Sequence, residues 1–146
     1  MMDEDRRADD DETLREAETP RRFFTVDQAR QLLPKVREIV GEATLLSSRL
    51  PAFSEELQQL AAASSSNSGS PAGTEFLYII VRLQGRLRRL EEMGVVVKGV
   101  QEGLVDFPHL HDGREVYLCW KYGEEDIEYW HEVDAGFAGR TPLDEL

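Results

Sequence analysis

Apolar positions change their period once along this chain, near Gly94, and the change divides it into a helical part and an extended part. From Val26 they recur at Ala29, Leu32, Leu33, Val36, Ile39, Val40, Ala43, Leu46 and Leu50, a spacing of three and four that gathers side chains on one helix face. Thr25 and Gln28 form a capping-box pattern just ahead of this stripe, with Phe24 placed to staple onto the first turns. Pro34 interrupts it. An interior proline loses the bond to the carbonyl four residues back, so the helix is expected to kink near Arg30 or to end at Leu33 and restart with Pro34 in its first turn. Pro51 predicts a second break, with Ser54, Leu57 and Leu60 marking a short continuation.

Residues 61 to 73 are rich in serine and glycine and read as a flexible linker. A second helix is predicted from about Thr74 to Met93, with apolar residues at Phe76, Leu77, Ile80, Leu83, Leu87, Leu90 and Met93 and with Gly94 as its left-handed cap. The first arm of this hairpin is the longer, roughly 35 residues or about 50 Å if continuous. Its far end overhangs the second arm and needs cover, which self-association supplies.

Beyond Gly94 the residues alternate as strands do. Val95, Val96 and Val97 make a β-branched strand, and Lys98-Gly99 begins a turn. Asp112-Gly113 is a two-residue turn; taken as type I′ it pairs His111 with Arg114, Phe107 with Leu118, Asp106 with Cys119 and Val105 with Trp120. One face then collects Val105, Phe107, Val116, Leu118 and Trp120, and the other Asp106, Tyr117 and Cys119. Pro108 cannot donate to a ladder and implies an edge or a bulge. The hairpin around Tyr122 to Ile127 admits two registers. Cys119 opposite Tyr129 puts His131 beside Tyr117; Cys119 opposite Trp130 brings Trp130 and Glu132 to that face instead. The first is preferred because it sends Trp130 to the core. The fold class is α+β: a long helical hairpin over 23–93, then a small mainly antiparallel β-sheet with a C-terminal strap over 94–142, in a single domain covering 21–146.

Several motifs run in order through this domain: Phe-Thr-Val-Asp-Gln-Ala and Leu-Leu-Pro at its start, Gly-Val-Val-Val-Lys-Gly in the middle, and Gly-Leu-Val-Asp-Phe-Pro, Gly-Arg-Glu-Val-Tyr-Leu-Cys-Trp-Lys, Tyr-Trp-His-Glu and Asp-Ala-Gly-Phe-Ala-Gly-Arg at its end. Together they resemble the bacterial family known as domain of unknown function 2203, across about residues 23 to 142. The resemblance implies no particular activity. The acidic tail and the serine-rich linker look like additions peculiar to this chain.

Charge is distributed unevenly. Residues 1 to 19 hold nine acids against three arginines, with Leu14 the only large aliphatic after the initial methionines, so residues 1–20 read as a disordered acidic tail. Residues 20 to 100 carry eleven basic and eight acidic groups, and residues 101 to 146 three basic and twelve acidic. Such polarity argues against nucleic acid or an anionic membrane as a partner, since both need a dominant positive field. Arg82, Arg86, Arg88 and Arg89 form the one basic patch and read as a solvated helix face. The N-terminus lacks a signal-like apolar run, no stretch is long enough to span a membrane, and the one cysteine makes no internal disulfide, so a cytosolic location is expected.

The candidate catalytic residues are Asp106, Tyr117, Cys119 and His131, which share the outer sheet face in the preferred register. Cys119 as nucleophile, His131 as base and Asp106 as orienting acid is the sharp reading; against it, a cysteine in an apolar strand is usually an inert packing residue. Candidate ligand-binding residues are Glu132, Asp134 and Arg140. Arg140 either anchors an anion or ties down the strap by pairing with Asp106 or Asp134, while Phe137 plugs the core; the strap is favoured. Asp106, His131, Glu132 and Asp134 include good metal ligands, but adjacent strand residues face opposite ways, so His131 and Glu132 do not share an ion on a regular strand. His109 and His111 flank a turn and read as solvated. No metal or cofactor is assigned. The leading expectation is a non-enzymatic assembly module, a homo-oligomer with a dimer favoured and a protein partner possible in addition; the alternative is a small-molecule enzyme, most plausibly a hydrolase, using the outer sheet face.

Overall fold

The structure, a computed structural model, describes residues 22–63 and 71–146. The acidic tail and the middle of the expected linker lie outside the described residues. Helix α1 spans Val26–Ala63 and α2 spans Pro71–Glu92, so residues 61–63 and 71–73, expected in the linker, are helical. Five strands follow: β1 (Val96–Gly99), β2 (Leu104–His111), β3 (Arg114–Lys121), β4 (Tyr129–Glu132) and β5 (Thr141–Pro142), with short 3₁₀ turns at Phe137–Gly139 and Leu143–Glu145. They form one antiparallel sheet in the order β1-β2-β3-β4-β5. The protein is α+β, two helices followed by an antiparallel sheet.

The capping box at the start of α1 forms in full. The Gln28 amide donates to Thr25 Oγ1 and the Thr25 amide to Gln28 Oε1, each at 3.0 Å. Phe24, just before the cap, is buried edge-to-face on Phe107 with ring centroids 5.4 Å apart. Helix α1 neither ends at Leu33 nor breaks at Pro51: Pro34 and Pro51 both lie inside one continuous helix. Each costs about 3 kcal/mol in a helix interior. Leu33 and Val36, on either side of Pro34, are fully buried, and burying such side chains contributes about 1.5–3 kcal/mol apiece. Packing therefore outweighs the lost hydrogen bond.

Two apolar clusters run along α1. Its first half contributes Ala29, Leu33, Val36, Ile39 and Val40 to the main core, against Val105, Phe107, Leu118 and Trp120 of the sheet. Further along, Ala43 and Leu46 meet Ile79 and Leu83 of α2 in a smaller cluster. The sheet thus packs on one half of α1 while the other half forms a helical hairpin with α2. Helix α2 ends as its sequence requires: Gly94 takes a φ of 86°, and the Val95 amide reaches back to the Leu90 carbonyl at 3.0 Å.

Asp112 and Gly113 have φ of 51° and 78°, the two positive angles of a type I′ turn, and the β2–β3 register follows with Asp106 opposite Cys119. In this register the nitrogen of Pro108 points away from β3, and β1 has already ended at the pair Val96–Asp106, so no ladder bond is lost. The Pro108 carbonyl accepts from the Phe24 amide at 2.7 Å. Of the two registers for the next hairpin, the one with Cys119 opposite Tyr129 and Tyr117 opposite His131 is present. Trp130 turns toward the main core, where its Nε1 is buried with no hydrogen-bond partner among the described residues.

Candidate functional site

Because cross-strand partners point to the same side, the register of three strands sets up one polar cluster under the outer face. Asp106 on β2, Cys119 on β3 and His131 on β4 are all buried, and their carboxylate, sulfur and ring-nitrogen atoms lie within 4.8 Å of one another. Tyr117, also buried, leans on His131 with ring centroids 5.5 Å apart. All four candidate catalytic residues are therefore brought together.

The hydrogen bonds define the protons. His131 Nδ1 lies 2.6 Å from the carbonyl oxygen of Glu132, and a carbonyl only accepts, so Nδ1 carries a hydrogen. Nε2 then faces both Asp106 oxygens at 3.0 Å. Two sets of lone pairs do not sit at that distance unshared; one proton lies between imidazole and carboxylate. Burial pushes the Asp106 carboxyl above its ordinary range, an effect opposed by the charge and hydrogen bond of His131 and by the Cys119 thiol. Burial also pushes the Cys119 thiol up, to about 12, with the negative charge of Asp106 adding to the effect. A thiol so placed is not a nucleophile near neutrality. The cluster is built to hold protons, not to expose a thiolate.

The candidate ligand-binding residues do not join its hydrogen bonds, and only the charge of Arg140 reaches it, opposing the upward shift of the Cys119 thiol. Glu132 turns to the other face and pairs with Arg114 at 2.9 Å. Asp134 stands exposed in the turn after β4. Arg140 pairs with Glu124, not with Asp106 or Asp134, and its guanidinium lies 3.9 Å over the Tyr129 ring and 4.6 Å over Phe137. Phe137, expected in the core, is 44% exposed, because it packs on Arg140 outside the sheet. Phe137 opens the 3₁₀ segment directly after Gly136, whose φ is 67°.

Glu124 escaped sequence reasoning although it organises this corner. Its carboxylate takes both the Arg140 guanidinium and the Lys121 amide, and its carbonyl accepts from Trp120 Nε1 at 3.0 Å. One loop acid among four carries no signal that singles it out. Lys98, which the sequence marks only as the start of a turn, lies with its ammonium 4.7 Å from the Tyr117 ring centroid and adds positive charge near Asp106. His109, expected to be solvated, donates from Nδ1 to the Phe24 carbonyl at 2.7 Å and so holds the start of α1 against β2.

Beside the cluster runs a groove of about 590 Å³ along the β1 edge, between the sheet and the end of α2. Val96, Pro108 and Tyr117, which line it, share the sheet face of Asp106, Cys119 and His131. Among the described residues no helix is long and apolar enough to cross a membrane.

A hairpin of helices backing a five-stranded meander, with an acid, a thiol and an imidazole buried on its far face, defines the class: an α+β protein with an enclosed polar cluster. The chain belongs to the family of uncharacterized conserved proteins DUF2203, whose family model matches residues 22–143. No curated protein and no solved structure matches the chain.

Proposed function

We propose that this protein is an assembly module that pairs with a second copy of itself through the outer face of α2. The observation that carries this reading is the exposure of Leu77, Tyr78 and Val81, at 62, 65 and 60%, on consecutive turns of α2. Leu45 of α1 is exposed to a similar degree, at 64%. One turn further along α2, Gly85 opens onto empty space where a side chain would stand. Two antiparallel copies of α2 centred on Val81 place Leu77 of each over Gly85 of the other, a self-complementary contact of the kind a two-fold dimer needs. Arg82 and Arg86 are drawn to Glu42 of α1, at 2.6 and 4.0 Å, which reduces like-charge repulsion between copies. An acidic chain with one cysteine fits a cytosolic setting.

Native mass spectrometry at micromolar concentration tests the reading. The expected result is a dimer that Val81→Glu converts to a folded monomer. A wild-type monomer that captures no partner sinks it.

A second reading, a small-molecule hydrolase, is favoured by the convergence of Asp106, Tyr117, Cys119 and His131 beside the groove. It fails if Asp106→Asn and His131→Ala leave cellular function intact.

A further inference from the structure

We propose that Asp106, Cys119 and His131 form a binding site for a divalent transition-metal ion of the zinc type, independent of the assembly face. Three adjacent strands each supply one side chain to the same sheet face, and each offers one ligand atom of a type that zinc takes: a carboxylate oxygen, a thiolate sulfur and an imidazole nitrogen. Bond lengths of 2.0–2.3 Å place ligand atoms roughly 3.3–3.7 Å apart around a tetrahedral ion. The set lies within 4.8 Å already, and the His131 nitrogen stands 3.0 Å from the Asp106 carboxylate, so side-chain adjustment alone reaches that geometry.

The orientation of His131 is the second observation. Its Nδ1–H is fixed by the Glu132 carbonyl at 2.6 Å, which aims Nε2 into the cluster. Metal-bound histidines are held this way, with the far ring nitrogen donating to a carbonyl or carboxylate. The objection that neighbouring strand residues face apart removes Glu132 but not Cys119, which stands directly across from Asp106. Without an ion, one proton sits between Asp106 and His131 and one on the Cys119 sulfur. Loading a divalent ion therefore releases two protons to solvent, leaving carboxylate, neutral imidazole and thiolate around it. Three protein ligands leave one position for water or a further ligand. The groove lined by Val96, Pro108 and Tyr117 reaches the sheet face on which the three ligands stand.

The test uses the full chain, stripped of metal and titrated with cobalt(II) alone, both when folded and during refolding. The expected result is a near-ultraviolet thiolate-to-cobalt charge-transfer band that saturates at one ion per chain, with two protons released per ion and the band lost on adding zinc(II). Cys119→Ser abolishes the band. Should that variant fail to fold, X-ray absorption of the zinc-loaded native chain decides, with one sulfur among nitrogen and oxygen neighbours expected. A folded protein with no band under either condition, a band that survives Cys119→Ser, or a zinc shell without sulfur overturns the proposal.

Discussion

His131 on β4 reaches across the whole of β3 to Asp106 on β2, its Nε2 3.0 Å from each carboxylate oxygen, and the pair is closed to solvent. Removing one partner leaves the other buried and uncompensated, a loss of about 3–5 kcal/mol for such pairs. Asp106→Leu and His131→Leu are each expected to destabilise the metal-free protein by that order, and the double variant by clearly less than their sum. Urea unfolding of the four proteins in a double-mutant cycle measures it; simple additivity would show that the pair is not coupled.

Cys119 should be chemically silent in the native metal-free chain. Its sulfur is buried and its thiol is held at about 12, so very little thiolate exists at neutral or mildly alkaline pH. A thiol-specific chromogenic reagent is expected to react only as fast as the chain unfolds, and at once in denaturant. Rapid stoichiometric labelling of the folded protein would mean that the sulfur is open to solvent in the native state.

Arg140 should matter for stability through the strap. Its ion pair with Glu124 is largely buried, and it stacks on Tyr129 and Phe137. Arg140→Ala is expected to cost about 1.5–3 kcal/mol, the range for a hydrogen bond to a charged group. Arg140→Lys should recover only part of it, since an ammonium lacks the flat face that lies over Tyr129. Thermal melts of the two variants check the order; full rescue by lysine would reduce the role of Arg140 to charge alone.

Gly103 admits no side chain. Its φ is 68°, and a Cβ placed there would lie 2.5 Å from the Cβ of Tyr122, whose own amide donates to the Gly103 carbonyl at 2.9 Å. The left-handed backbone alone costs about 1–2 kcal/mol for an alanine, and the clash adds to it. Gly103→Ala is therefore expected to lower the melting temperature more than Gly113→Ala, where a side chain meets open space. Equal effects would mean that the contact with Tyr122 relaxes freely.

Much of this protein was legible along the chain, because the features concerned are local. The capping box at Thr25 and Gln28, the glycine cap at Gly94 and the turn at Asp112-Gly113 depend on a few neighbouring residues, and that turn alone determines which of the β2 and β3 residues meet. The side-chain period of two then places Asp106, Tyr117 and Cys119 together on one sheet face. What only the tertiary structure decided are balances between distant parts. Pro34 looks like a break until the buried stripe on either side of it is seen to outweigh one lost hydrogen bond. Two registers remained open for β4, since the longer loop before it carries no turn chemistry that selects one, and the packing of Trp130 goes with the register that brings His131 to Asp106. Arg140 finds Glu124, sixteen residues away, because the strap folds back over Tyr129, and nothing in a string of residues ranks one acid above another until the backbone has brought them face to face.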